Sequence, residues 1–301
     1  MFHRAELKQK AKEVLANSYW MCFAACAIIF VISGVASGIF GSFNIYTGLM
    51  GETAYISPVA TILIGVISIM FALMSVAVSV FLLMPLQVGL NRFFVRNAET
   101  GETKLEHLFF VFKSNYLNVV KVTFMKMLFI FLWGLIAIGV VILLAIIGGA
   151  LFAGMDMVSY GYTRGGVSYA YTYRGGRDFL ESVLMVAYIL FAIVAYIAAL
   201  LPALVKSYEY YMVEYILCET PDTDWRDALA QSKEMMKGNK WATFVLELSF
   251  LGWFLLGFLV CCIGSLFVQP YYSATFAQLY LKLRNRPKTA DTIILGSGDI
   301  Q

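Results

Sequence analysis

Histidine is nearly absent from this chain of 301 residues, which carries only two, His3 and His107. A Ser-His-Asp set or a zinc-binding HExxH helix needs imidazole at its centre, so most hydrolase chemistry loses its key residue. No Walker loop, GxSxG elbow or Cys-x-x-Cys pair compensates. The residues therefore point to a protein that is not an enzyme and needs no cofactor. Charge is scarce too, at 14% of residues with a net charge of +3, which leaves no electrostatic footprint for nucleic acid. The five cysteines are an odd number in or beside apolar runs, which argues against a disulfide framework. Cys22 and Cys26 share a helix face with no histidine near them, so they read as packed thiols and not as a metal site.

What the chain has instead is apolar length. It is 60% hydrophobic with a mean hydropathy of +0.77, more than one globular core of this size can hide. Runs at about 19–40, 59–84, 127–152 and 183–204 each reach the ~20 residues that cross a bilayer. The first run exceeds the ~7–15 residues of a signal-peptide core and reads as a span, although Ala36-Ser37-Gly38 resembles a cleavage site. The last apolar region, from Trp241 onward, reads as one helix or as two. Basic residues decide between these. Arg4, Lys8, Lys10 and Lys12 precede the first span, and the loop 41–57 has no Lys or Arg. Arg92, Arg96, Lys104, Lys113 and Lys121 fill the second connection, Lys206 through Lys240 the fourth, and Lys282 to Lys288 follow the end. The positive-inside rule then places both termini in the cytoplasm and requires an even number of crossings. The last region divides at 262–264 into helices at about 241–261 and 263–283. Gln269, Pro270, Tyr271 and Gln278 make the sixth helix too polar to face lipid, so it belongs inside the protein.

A unit recurs three times, at about 1–98, 99–221 and 222–286, followed by a flexible tail at 287–301. Each copy opens on an amphipathic segment and reaches a junction of asparagine with an aromatic residue: Asn17 before Tyr19, Asn115 before Tyr116, Asn239 before Trp241. A spanning run follows, and later a proline (Pro85, Pro202, Pro270) leads into a polar helix. The apolar stripes are Leu7, Ala11, Val14 and Leu15 in the first copy, and Leu105, Leu108, Phe109 and Phe112 in the second. Trp225, Ala228, Leu229 and Met236 form the third. Helices of this kind lie in the headgroup plane. Thr103-Lys104-Leu105-Glu106 has the spacing of a capping box, and Asp224 is placed to cap the third segment. Three proline-kinked helices in equivalent places suggest an axis normal to the membrane.

Between the third and fourth spans, Gly165-Gly166 sits between alternating residues. A two-residue turn there pairs Tyr162 with Tyr169 and Tyr160 with Tyr171 in an extracytoplasmic β-hairpin; Gly175-Gly176 offers a second register. Ionisable or polar residues within spans are the functional candidates. Glu247 lies about eight residues past Asn239, level with Lys121 and Lys126 past Asn115, so either lysine could pair with it. Gln87, Asn91 and Gln269 on the even helices would line any polar path.

The third copy carries a resemblance. Met236-Lys237-Gly238-Asn239-Lys240-Trp241, Leu248-Ser249-Phe250-Leu251-Gly252-Trp253, Ile263-Gly264 and Pro270-Tyr271 resemble the bacterial membrane family called domain of unknown function 975. Arg4-Ala5-Glu6-Leu7-Lys8 is similar to that family's opening. The resemblance implies a bacterial multi-pass membrane protein and no catalytic residues. The general layout is also similar to the membrane domain fused to some glycerophosphodiester phosphodiesterases. The expectation is an all-α membrane protein. It is a six-transmembrane-helix bundle of three helical hairpins, with interfacial helices and a small β-hairpin. As a single integral domain it would bind membrane lipid or a membrane-protein partner as a scaffold, or else carry a small or amphiphilic solute.

Overall fold

The computed structural model describes residues 2–53, 58–152, 158–164, 167–173, 178–259 and 263–285. The tail at 287–301 and the turn residues Gly165 and Gly166 lie outside them. The helices are α1 (Arg4–Ala16), α2 (Tyr19–Thr53), α3 (Pro58–Val78), α4 (Met84–Thr100), α5 (Phe110–Lys113) and α6 (Tyr116–Phe152). They continue with α7 (Asp178–Glu209), α8 (Val213–Glu219), α9 (Trp225–Met236), α10 (Lys240–Leu259) and α11 (Ile263–Arg284). A π-helical turn, Ser79–Leu83, joins α3 to α4, and a 3-10 turn, Leu105–Phe109, precedes α5. Among the described residues five helical stretches are long and apolar enough to cross a membrane: Tyr19–Gly38, Ile62–Thr100, Tyr116–Leu151, Ser182–Glu219 and Lys240–Leu259.

Two segments depart from the sequence expectation. The loop expected over 41–57 is largely helix, because α2 runs on to Thr53. No proline interrupts that stretch, and apolar residues recur through it. The capping box at Thr103–Glu106 does not form: Lys104 occupies the N-cap without a side-chain bond, and a 3-10 turn follows. The tighter turn changes the buried face. Leu108 and Val111 are buried, whereas Phe109 and Phe112 stay exposed. Asp224 does cap α9, accepting from the Arg226 N–H at 3.4 Å.

The chain separates into two compact units, one of Met1–Met127 with Tyr208–Gln301 and one of Leu128–Ser207. In the first unit the segments that follow the prolines are buried together. Helix α4 packs on α8 and on α11, and Tyr215 of α8 stacks on Tyr280 of α11 at 5.4 Å between centroids. Arg284 closes this group, bridging Glu99 of α4 at 2.6 Å and also Glu219 of α8. Helix α11 is enclosed as well, touching α1, α2, α4, α9 and α10. Its Ser273, Thr275, Phe276, Ala277 and Leu279 are buried. Neighbouring helices hide its polar groups, as membrane packing requires.

Apart from Phe109 and Phe112, the amphipathic segments turn most of their apolar stripes onto protein. Leu7, Ala11 and Leu15 of α1 are buried where α1 lies on α11. The 3-10 turn lies on α4, and α9 lies on α8 through Ala228, Leu229 and Met236. Each opening segment thus docks on a segment that follows a proline: α1 on α11, the 3-10 turn on α4, and α9 on α8. The last two dockings join neighbours in sequence; the first joins the two ends of the unit and closes a ring. Lys282 meets Glu6 across that closure at 2.6 Å and, with Lys10, holds the Glu6 carboxyl below the usual carboxylate range.

Proline leaves a backbone carbonyl one turn earlier without its helical donor. For Pro85 that carbonyl belongs to Phe81, and the hydroxyl of the junction residue Tyr116 donates to it at 2.5 Å. The hydroxyl of Tyr19 donates to the Phe267 carbonyl, three residues before Pro270, at 3.1 Å. Tyr116 therefore satisfies the carbonyl that Pro85 leaves open. Tyr116→Phe is expected to leave the Phe81 carbonyl unsatisfied and to cost about 1–2 kcal/mol. A lowered thermal midpoint of the detergent-solubilised protein would report it, and an unchanged midpoint would count against this role.

In the second unit, the Tyr188 hydroxyl of α7 donates to the Leu144 carbonyl of α6. A Cβ on Gly148 would meet the Tyr188 ring at 2.9 Å, so glycine permits that approach. Strands β1 (Val158–Arg164) and β2 (Val167–Tyr173) pair antiparallel, with Tyr160 opposite Tyr171 and Tyr162 opposite Tyr169.

Candidate functional site

Helices α10 and α11 are held backbone to backbone by two glycines. A Cβ on Gly257 would lie 2.6 Å from the Ser265 nitrogen, and one on Gly264 would lie 2.6 Å from the Gly257 Cα. Small residues of this kind let membrane helices touch closely. Further along the same pair, a cavity of about 450 Å³ lies beside the end of α7. It is lined by Tyr208, Phe244, Glu247, Leu248, Leu251, Phe254, Gln269 and Tyr272. That volume and an apolar wall with a few convergent polar groups are the attributes of a small-molecule site.

Glu247 is the polar centre of the cavity. The Tyr208 hydroxyl donates to its Oε2 at 2.5 Å and the Tyr272 hydroxyl to its Oε1 at 3.2 Å. The hydroxyls of Tyr211 and Tyr272 are also bonded, at 2.9 Å, so the chain of hydroxyls reaches deeper into the unit. The rings are set edge-to-face: Tyr208 with Phe244 at 6.0 Å, and Phe254 with Tyr272 at 5.7 Å. A second cavity of about 330 Å³ is lined by residues that include Cys26, Ser33, Gln87, Ser265, Phe254 and Gln269. The two cavities share Phe254 and Gln269.

The pairing considered for Glu247 is overturned. Lys126 bonds Glu214 at 2.8 Å and Lys121 lies 3.6 Å from Asp224, so neither reaches Glu247. Both acids belong to the connection around α8 and α9, on which the α6 lysines lie. Asn91 is buried, with its amide 3.5 Å from Glu214, and lines neither of these two cavities. Gln87 and Gln269 do line cavities. Pro85 and Pro270 are buried, and Pro202 lies within α7.

The junction asparagines serve as connectors. Asn17 closes α1, and Asn115 donates to Asp222 at 2.9 Å. Asn239 accepts from the Thr243 hydroxyl at 2.9 Å and donates to the Met235 carbonyl at 3.2 Å. Trp241 is 71% exposed and packs on Phe244 at 5.3 Å. Several residues went unremarked in the sequence. Asn118 donates to the carbonyls of Pro221 and Thr223, and Asn97 donates to Ser18 and Cys22. The signal for Tyr208 and Tyr272 in the sequence is the clustering of tyrosines after Pro202 and Pro270.

Five helical stretches long and apolar enough to cross a membrane make this an integral membrane protein of the multi-pass class. Within that class, the chain belongs to the DUF975 family, "Protein of unknown function", whose model matches residues 1–287. No curated protein and no solved structure matches it.

Proposed function

We propose that this chain is a non-catalytic protein of the bacterial cell membrane that holds a lipid or lipid-like amphiphile and serves as a scaffold or accessory subunit. In this reading six helices cross the membrane as three hairpins around a pseudo-threefold axis. Both termini are cytoplasmic, and the strand pair lies outside. The observation that carries the binding role is the cavity of about 450 Å³, apolar on most of its wall and polar around Glu247. At ~1.5 Å per residue, Glu247 stands roughly 10–12 Å along the helix from the Asn239 junction, near headgroup depth. A lipid could therefore keep its polar end at Glu247 and its chain along Leu248 and Leu251.

Native mass spectrometry of the protein released from membranes in mild detergent tests this. A lipid-sized adduct is expected on the wild type and is expected to fall at least several-fold in Leu248→Trp, which fills the cavity. An adduct-free wild type, or one whose adduct survives that filling, would overturn the reading. A transport role is the second reading, supported by the second cavity that meets the first at Phe254 and Gln269. Uptake of an amphiphilic solute into proteoliposomes, blocked by Leu248→Trp, would favour it.

A further inference from the structure

We infer that the cavity in the first unit selects amphiphiles with a cationic amine head, held by Glu247 inside a cage of aromatic rings. This rests on the amphiphile-binding reading above and names the ligand's chemistry. Four of the eight lining residues are aromatic: Tyr208, Phe244, Phe254 and Tyr272. Rings around a cation attract it through their negative faces, most strongly where water is excluded, and quaternary ammonium groups are recognised this way. Glu247 is the only lining residue of formally charged type.

The cations of the first unit that stand nearest the site in sequence or packing are already engaged elsewhere. Lys121 faces Asp224, Lys126 faces Glu214, and Lys240 faces Glu209 at 2.5 Å. Lys8 lies over the Phe250 ring and Lys12 over Tyr271, outside the cavity lining. Among the described residues Glu247 has no salt-bridge partner, and the two hydroxyls bonded to it are neutral donors. A carboxylate without a counter-ion against a mostly apolar wall is costly. A bound ammonium supplies that counter-ion, whereas an anionic head would meet like charge at the same site. The aliphatic residues Leu248 and Leu251, one turn apart, provide the surface for the chain that follows the head.

The test is titration of the full-length protein, in a neutral detergent, with decyltrimethylammonium, decanol and decanoate, read by native mass spectrometry. Decyltrimethylammonium is expected to bind saturably and at least tenfold more tightly than either control. Glu247→Gln is expected to remove about tenfold of that preference, and Glu247→Asp to retain most of it. Thermal midpoints of both variants establish that they are folded at the titration temperature. Equal binding of the cation and decanol, unchanged by Glu247→Gln, would overturn the cationic selectivity while leaving amphiphile binding in place. Saturable binding of none of the three would overturn both.

Discussion

Valine in place of Gly89 is expected to unseat the second opening segment and to cost about 3 kcal/mol or more. A Cβ on Gly89 would lie 2.0 Å from the Leu108 carbonyl oxygen and 2.7 Å from its carbon. Those are backbone atoms, so no side-chain rotation relieves the clash, and the 3-10 turn must move off α4. Leu108 and Val111 would then lose their burial, and Arg92, whose guanidinium sits 3.9 Å over the Phe110 ring, would lose that cover. The check is the thermal midpoint of the purified protein, with proteolysis across 101–115 reporting the release. Gly252→Val is the control, because a Cβ there meets nothing within 4 Å. If both variants melt alike, the close approach at Gly89 does not hold the segment.

That contact could not have been read from the sequence, and the reason is local. Thr103 and Glu106 have capping-box spacing, which implies an α-helix burying Phe109 and Phe112. The chain tightens into a 3-10 turn and buries Val111 instead, since the Leu108 backbone must press against a glycine. Punctuation was far more legible. Asn17, Asn115 and Asn239 mark helix boundaries because their side chains serve turns better than helix interiors. The three prolines mark where polar halves of helices begin because each removes a backbone donor. The polarity of α11 likewise announced its enclosure.

The site was only half visible. Glu247 stood out as an acid within an apolar run, and Gln269 as an amide near a proline. Their partners did not stand out, because Tyr208 and Tyr272 lie 39 and 25 residues from Glu247. Depth along a helix follows from residue count, but rotation about its axis does not. Lysines at the right depth were therefore plausible partners, and tyrosines on the neighbouring helices proved to be the actual ones.

Glutamate in place of Ala11 is expected to be the most damaging single change in the first unit, costing about 3–5 kcal/mol. Ala11 is fully buried where α1 meets α11, and a carboxylate placed there would be desolvated without room to reach water. Leu7 and Leu15 flank it on the same stripe and would be lifted with it. The consequence goes beyond one helix. Two of the three dockings in the ring join segments that neighbour each other in sequence, so chain connectivity alone favours them. The docking of α1 on α11 has no such help, since Glu6 and Lys282 are 276 residues apart. It has to be made by the side chains at that surface, and losing it opens the ring at one place. Hydrogen exchange should then rise in α1 and along the adjoining face of α11, while α4 and α8 keep their protection. Ala5→Glu provides the control, because Ala5 is exposed on the same helix. Should Ala11→Glu and Ala5→Glu behave alike, α1 would be an ornament on the surface rather than the closing element of three mutually docked copies.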